Sequence, residues 1–431
     1  MGVIVMTGLA VVLGLFRIGA QSLWTDELFS AHVARGSWQA MWSFAAGSEF
    51  HSGVYHLASW LWVQAFGDSE SALRSPSVVF GVAAMVMVMV TARRLFSTRT
   101  ALIAGAVFLV QVQTVRYFQE ARTYSLAMFA AAAATLALAR ALEDGSSRSR
   151  WLQYGVVAGV ACYAHLFVFF VIASHGVALV LRRSVPKLRD ALLAAGAFLL
   201  VTSPLVLAAA VREGDVDWLP ATNLRAVAYA ARAVTVGNGT AAMILLVALW
   251  LWKLWTSRQG PSREMTSLVV VASWVVSPFV IAIAIGTVRP LFVPHYLNVC
   301  VPGAAVLTAA TIDSLIARSR ALGAVSLAVL LVHSGYYVAR WYDGTPAKED
   351  FRAAVRFACD RASQQHARVL FRPTYVRSSM YYADDDCGEP IAGNLAVVIQ
   401  RGEPAEPTPS GERVISVRLF TGVTVETIET R

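Results

Sequence analysis

Long apolar runs separated by short basic groups fill the first 340 residues of the chain. A stretch of about 17–25 apolar residues can cross a bilayer as a helix. Such stretches lie at 2–20, 71–94, 99–116, 120–140, 151–165, 166–182, 190–211, 236–256, 265–287, 296–316 and 321–339, which predicts about 11 transmembrane helices. The run 151–182 is too long for one upright span and reads as two helices turning near His165. Residues 53–67 are apolar and Trp-rich but too short to cross, as expected of a helix lying in the interface. Charge agrees. With 53–67 lying flat and the N-terminus cytoplasmic, every strong basic group between spans falls inside. These groups are Arg93/Arg94/Arg99, Arg140/Arg148/Arg150, Arg182/Arg183/Lys187/Arg189, Lys253/Arg258/Arg263 and Arg318/Arg320. If 53–67 crossed, the neighbouring clusters would move outside, against the positive-inside pattern. That topology puts 21–70, the 116–124 region, 212–235, 288–296 and the tail on the outer side.

The pattern changes after about Gly344. Phe351 to Gln364 has the spacing of an amphipathic helix. Arg368–Phe371, Ala396–Gln400, Val414–Phe420 and Val423–Ile428 read as strands, with Thr421-Gly422 as a turn and Arg377–Tyr382 as a short helix. The expected architecture is therefore an all-α polytopic membrane domain over 1–340, with a first outer loop at 21–70. A small extracytoplasmic α/β appendage follows at 345–431.

Composition narrows the class further. The chain is 57% hydrophobic, carries 15% charged residues and has a mean hydropathy of +0.56. Soluble domains carry about 25% charged residues. The net charge of +9 comes from short arginine groups rather than an extended basic stripe, so it reads as a topology signal and no nucleic-acid partner is expected. The first segment lacks a basic start and a small-residue cleavage site, so it is expected to remain as a helix. Of the four cysteines, Cys162 and Cys300 lie in apolar runs; Cys359 and Cys387 can pair if the tail faces an oxidising compartment. High Ala, Arg and Val usage hints at a GC-rich bacterium and a bacterial plasma membrane.

The stretch Ser22-Leu23-Trp24-Thr25-Asp26-Glu27-Leu28-Phe29 carries two adjacent carboxylates where the chain leaves the bilayer. Carboxylates at that depth are costly unless a partner or a task holds them. General-base activation of an acceptor hydroxyl suits them, as does binding of a divalent cation by Asp26 and Glu27. Thr25 or Asp26 can also simply cap the helix that follows. Adjacent helical residues point about 100° apart, so the two acids should have different jobs.

His51 and Tyr55 open the flat helix, one turn apart. Arg116, Tyr117, Gln119, Glu120, Arg122 and Tyr124 form the densest polar group between two spans, where Glu120 and Arg122 are expected to be paired and arginine suits phosphate. Arg289, His295 and Tyr296 sit in a loop broken by Pro290 and Pro294, placed to hold a lipid phosphate or to anchor at the interface. His165, near a turn, reads as a satisfied polar residue, and Asp384-Asp385-Asp386 as a solvated loop.

Four motifs now stand in order: SLWTDE, HSGVYHLASWLWVQAFGDSESALRSPS, RYFQEARTYSL and RPLFVPHYL. Together they resemble the membrane-embedded GT-C glycosyltransferases of the protein O-mannosyltransferase type, among whose relatives is the aminoarabinose transferase of lipid A. The resemblance covers roughly residues 1–340. It implies inverting sugar transfer from a polyprenyl-phosphate donor to a glycan, glycolipid or protein acceptor on the extracytoplasmic face, with Asp26 as the base. The donor phosphate would be met by residues among His51, Tyr55, Glu120, Arg122, Tyr124, Arg289, His295 and Tyr296. Many relatives read His-Pro-Pro where this chain has His51-Ser52-Gly53. Three other readings remain at this stage: a lipid or solute transporter, a scaffold whose tail binds partners, and a ligase of lipid-linked oligosaccharides.

Overall fold

The computed structural model describes residues 2–47, 49–143, 147–181, 186–210, 222–235, 263–289, 292–343, 348–372, 374–383, 387, 395–402 and 412–430. The expected span 236–256 and the acidic run 384–386 lie outside the described residues. Helices follow in the order α1 (Gly2–Leu15), α2 (Thr25–Arg35), α3 (Trp38–Gly47), α4 (Gly53–Phe66), α5 (Glu70–Leu95), α6 (Thr98–Val110), α7 (Val112–Phe118) and α8 (Tyr124–Ala141). Next come α9 (Arg148–Ala161), α10 (Val168–Leu181), α11 (Leu188–Ala210), α12 (Leu224–Val234), α13 (Arg263–Gly286), α14 (Val301–Arg318), α15 (Arg320–Trp341) and α16 (Phe351–Gln365).

Among the described residues, six helices are long and apolar enough to cross a membrane, or seven if the bent pair α6–α7 counts as one. Helices α1 and α10 are apolar but shorter. The chain is a multi-pass membrane protein, and α4 has the 14-residue length expected of the non-crossing segment. Helices α11 and α15 bury only 22% and 17% of their central windows. Leu199, Leu200 and Val332 stand exposed on them, as lipid-facing side chains do.

The described chain forms two units. The first holds residues 1–16, 42–55 and 75–340. Its helices approach closely where side chains are absent. A Cβ on Gly155 would lie 2.2 Å from the Ala194 carbonyl oxygen, and one on Gly81 would meet the Phe118 ring. The expected single helix over 99–116 is broken instead. Gln111 adopts an extended conformation (ψ 118°) and the two halves bend by 68°. The Gln111 side chain accepts from the Gln113 N–H at 2.6 Å and donates to the Ala233 carbonyl at 2.6 Å, which fixes the break. Helix α1 also ends earlier than its apolar run suggests. The Gln119 amide donates to the Gly14 and Phe16 carbonyls at 3.1 and 2.7 Å and closes it.

The second unit holds residues 17–41, 56–74 and 341–431. It contains β1 (Arg368–Arg372), β2 (Leu395–Arg401), β3 (Glu412–Phe420) and β4 (Val423–Thr430). The sheet order is β1-β2-β4-β3, with β1 parallel to β2 and the remaining pairs antiparallel. The tail elements follow the sequence expectation closely. The short helix expected at Arg377–Tyr382 is a 3₁₀ segment, Thr374–Tyr382. Ala396, Val398 and Ile428 make the sheet's apolar layer. Cys359 of α16 forms a disulfide with Cys387. Trp60 donates its indole N–H to the Gly36 carbonyl at 2.9 Å and packs edge-on to Trp38, which folds the first loop back on itself.

Candidate active site

The acidic pair opens α2. Trp24, in extended conformation, occupies the N-cap position, one residue earlier than the capping expected of Thr25 or Asp26. Glu27 reaches back to the Trp24 N–H at 3.3 Å, the carboxylate half of a capping box. Its main engagement is elsewhere. The Arg74 guanidinium donates to both Glu27 oxygens, Nε to Oε1 at 2.8 Å and Nη2 to Oε2 at 2.7 Å. Both side chains are almost sealed from solvent, Arg74 at 4% exposure and Glu27 at 1%. A bidentate, fully desolvated pair of this kind is a fixed part of the frame. Asp26 is half-buried and stands in the first turn of α2, where the helix N-terminus favours negative charge. The two adjacent acids are therefore held differently, and Glu27, with both oxygens on Arg74, does not fit a cation ligand.

Trp24 and Thr25 are held as well. The Lys348 ammonium lies 3.1 Å from the centre of the Trp24 ring, and the Thr25 hydroxyl donates to Glu349 at 3.3 Å. Trp24 and Thr25 before Asp26 and Glu27 after it are thus each anchored by a distant charged group.

The first unit brings together a second polar group. His165, 4% exposed, is its hub. The His165 ring centre lies 6.1 Å from that of His51, 6.3 Å from Tyr124 and 4.8 Å from Tyr296. His295 packs edge-on against Tyr124 at 5.5 Å and against Tyr296 at 4.7 Å. Arg122 faces this group and pairs with Glu49 at 3.4 Å. Glu120 pairs with Arg116 at 2.9 Å, one helical turn away. The Arg122 backbone is located by a relay. Tyr55 and Ser77 hydroxyls stand 2.9 Å apart, and Ser77 donates to the Arg122 carbonyl at 3.3 Å. The Thr123 hydroxyl bonds the Ala164 carbonyl beside His165. The Trp274 indole N–H donates to the Val299 carbonyl at 2.9 Å and pins the 3₁₀ segment Pro294–Cys300 that carries His295 and Tyr296.

Of the nominated residues, His51, Arg122, Tyr124, His295 and Tyr296 therefore meet in one place. Tyr55 is buried behind them as a support. His51 lies in the 3₁₀ turn Phe50–Ser52 that precedes α4, so it does not share a helix face with Tyr55. Arg289 is exposed in the bend after α13. His165 is a satisfied polar residue, its Nδ1 accepting the Phe167 N–H at 3.1 Å, yet it also centres the group. Glu49 and Arg74 were missed. Arg74 lies inside the second motif, but nothing local marks its partner 47 residues away. Among the described residues, no group of three or more His, Cys, Asp or Glu side chains is placed to hold a metal ion.

Residues 51–208 match the model of a family described as dolichyl-phosphate-mannose-protein mannosyltransferase. No curated protein matches the chain. Among solved structures, ArnT from Cupriavidus metallidurans bound to undecaprenyl phosphate is similar, with a TM-score of 0.61 at 14% identity over 99% of this chain and 97% of that one. Its apo form gives 0.58 at 15% identity over the same shares. The oligosaccharyltransferase AglB from Archaeoglobus fulgidus, in complex with an inhibitory peptide and a dolichol-phosphate, gives 0.54 at 12% identity over 92% of this chain and 69% of that one. The resemblance carried by the four motifs is borne out in the fold: the chain is a polytopic membrane protein of the GT-C glycosyltransferase architecture.

Proposed function

We propose that the protein is an inverting glycosyltransferase that moves a sugar from a polyprenyl-phosphate donor to a hydroxyl acceptor on the outer face of a bacterial plasma membrane. The single observation that carries the assignment of the base is the division of labour at the acidic pair. Arg74 binds both oxygens of Glu27 in a buried pair, so Glu27 serves the frame, and the chemistry is assigned to Asp26, half-buried in the first turn of α2. Asp26 accepts the proton of the acceptor hydroxyl as that oxygen bonds to the anomeric carbon. The bond from the anomeric carbon to the phosphate oxygen breaks with inversion, and polyprenyl phosphate departs with the electron pair. Arg122, with His51, His165 and His295 around it, suits the departing phosphate, since guanidinium matches phosphate geometry. Such electrostatic help at the developing charge outweighs a general base, which contributes about 10²–10⁴-fold.

Two features support the outward orientation. One is the distribution of basic groups between spans, and the other is the disulfide Cys359–Cys387, since such bonds persist in oxidising compartments. Similarity to proteins solved with undecaprenyl phosphate or dolichol-phosphate supports a lipid-linked donor. Any divalent cation would have to be met at Asp26 without Glu27. In the decisive test, Asp26→Asn abolishes transfer while binding of the lipid donor persists. Wild-type turnover in that variant refutes the assignment. Uptake by sealed vesicles with no transfer would favour a transporter, and donor chain length by mass spectrometry separates a single-sugar transferase from an oligosaccharide ligase. Lipid and glycan profiling of a deletion strain would name the sugar.

A further inference from the structure

The segment just before Asp26 is held in an unusual way. Five consecutive carbonyls, Ile18 to Ser22, all accept hydrogen bonds from two guanidinium groups. Arg74 donates to Ile18 at 2.8 Å, Gln21 at 2.9 Å and Ser22 at 3.1 Å. Arg352, in the first turn of α16, donates to Gly19 at 3.0 Å, Ala20 at 3.3 Å and Gln21 at 3.0 Å. The Arg352 backbone N–H also donates to the Ser22 hydroxyl at 3.1 Å. Each arginine has its own glutamate. Arg74 pairs with Glu27, and Arg352 pairs with Glu70, which lies one turn before Arg74 on α5.

Tyr382 completes the arrangement. Its hydroxyl donates to Glu70 and accepts the Leu23 N–H at 2.5 Å. Burial, then the neighbouring Glu70 charge, push this phenol well above its ordinary range, so it remains a proton donor. Arg352 and Tyr382 come from different tail elements, α16 and the 3₁₀ segment Thr374–Tyr382. The Cys359–Cys387 disulfide ties the middle of α16 to a residue five positions past the end of that 3₁₀ segment.

We propose that the tail is part of the catalytic framework: Arg352 and Tyr382, converging on Glu70, position the 18–26 segment and so Asp26, and the disulfide holds the two together. Neither is a catalytic residue, and the inference rests on Asp26 being the base. The chemistry explains why such a clamp is needed. Ile18 and Leu23 bury their side chains at the two ends of the run, but the main chain between them is fixed by these guanidinium bonds, and misplacing a catalytic group by about 1 Å can cost about 10²-fold in rate.

The test uses full-length enzyme in detergent or vesicles, with transfer kinetics and hydrogen exchange measured on the same samples. Arg352→Ala should lower kcat by about 10–100-fold with donor KM within about twofold. Exchange should rise in peptides covering 18–28 and stay unchanged in the spans. Arg352→Lys, which keeps the charge on Glu70 but reaches fewer carbonyls, should recover part of kcat. Cys359→Ala/Cys387→Ala should follow Arg352→Ala in both readouts. If Arg352→Ala does not fold, Tyr382→Phe, which removes one hydroxyl, carries the test. Wild-type kcat and exchange in Arg352→Ala or in Tyr382→Phe overturns the proposal. So does a loss of activity accompanied by faster exchange throughout the chain. A dead Asp26→Asn beside a normal Arg352→Ala sinks the clamp alone; an active Asp26→Asn sinks the base assignment instead.

Discussion

Replacing Glu27 by Gln should damage the protein in a way that replacing its neighbour Asp26 does not. Removing one partner of a buried ion pair leaves the other charge uncompensated and costs about 3–5 kcal/mol. Two features move this site to the low end. Arg74 keeps its three carbonyl acceptors at 2.8–3.1 Å, and glutamine keeps one oxygen to receive Nε or Nη2. The other glutamine position becomes an NH₂ facing an N–H donor that it replaced as acceptor, so one strong charge-assisted bond, worth about 1.5–3 kcal/mol, is lost outright. A loss of about 3 kcal/mol follows, more than about 100-fold in the unfolding equilibrium. The assay is thermal or denaturant unfolding of the purified enzyme beside transfer kinetics. Glu27→Gln should fall in both, whereas Asp26→Asn should lose transfer at unchanged stability. The double variant Glu27→Gln/Arg74→Gln should cost less than the sum of its parts, because each single change strands the other member of the pair and the double change strands neither. Unchanged stability in Glu27→Gln, or strict additivity in the cycle, refutes the view that this pair is sealed and mutually dependent.

Arg122→Ala should raise donor KM and lower kcat together, since it removes charge at the departing phosphate, while Arg122→Lys keeps part of both; equal kinetics in all three enzymes would exclude Arg122 from the phosphate site. Tyr55→Phe breaks the hydroxyl relay to the Arg122 carbonyl and should cost about 1 kcal/mol of stability with a several-fold rise in donor KM, read by the same two assays. In the tail, burial and then Glu412 push Glu426 above the ordinary carboxylate range, against the pull of Arg372. Its folded form therefore holds a proton more tightly than the unfolded chain. That contribution is full below about pH 4.3 and is lost as pH rises through the raised value. Glu426→Gln should remove this slope and stabilise the tail at neutral pH, measured by exchange of the β4 amides between about pH 4 and 8.

What was legible in the sequence was whatever depends on local period and local chemistry. Alternation placed all four tail strands to within a few residues, and apolar length gave the described spans. The Asp26–Glu27 pair, Arg122, His295 and Tyr296 announced themselves as polar groups beside apolar runs. What stayed hidden were choices of partner over long separations. Glu120 pairs with Arg116 one helical turn away, and Arg122 pairs with Glu49, 73 positions back along the chain. No periodicity shows that His165 is where His51, Tyr124 and Tyr296 converge, since that depends on how α8, α9 and the 3₁₀ segment pack. The break at Gln111 was equally invisible, because the apolar run continues through it and only the bonds to Gln113 and Ala233 reveal it.

The strap of carbonyls from Ile18 to Ser22 also bears on how this chain can vary. What the two arginines recognise there is main chain, which every amino acid supplies alike. On the proposed clamp, side chains at exposed Ala20 and half-exposed Gln21 can be exchanged freely, although they stand close to the proposed base, whereas Arg352, some 330 positions further along, cannot. A saturation library selected for growth would then record permissive letters next to the base and an intolerant one far downstream. Closeness to Asp26 along the chain would be a poor guide to which substitutions do harm.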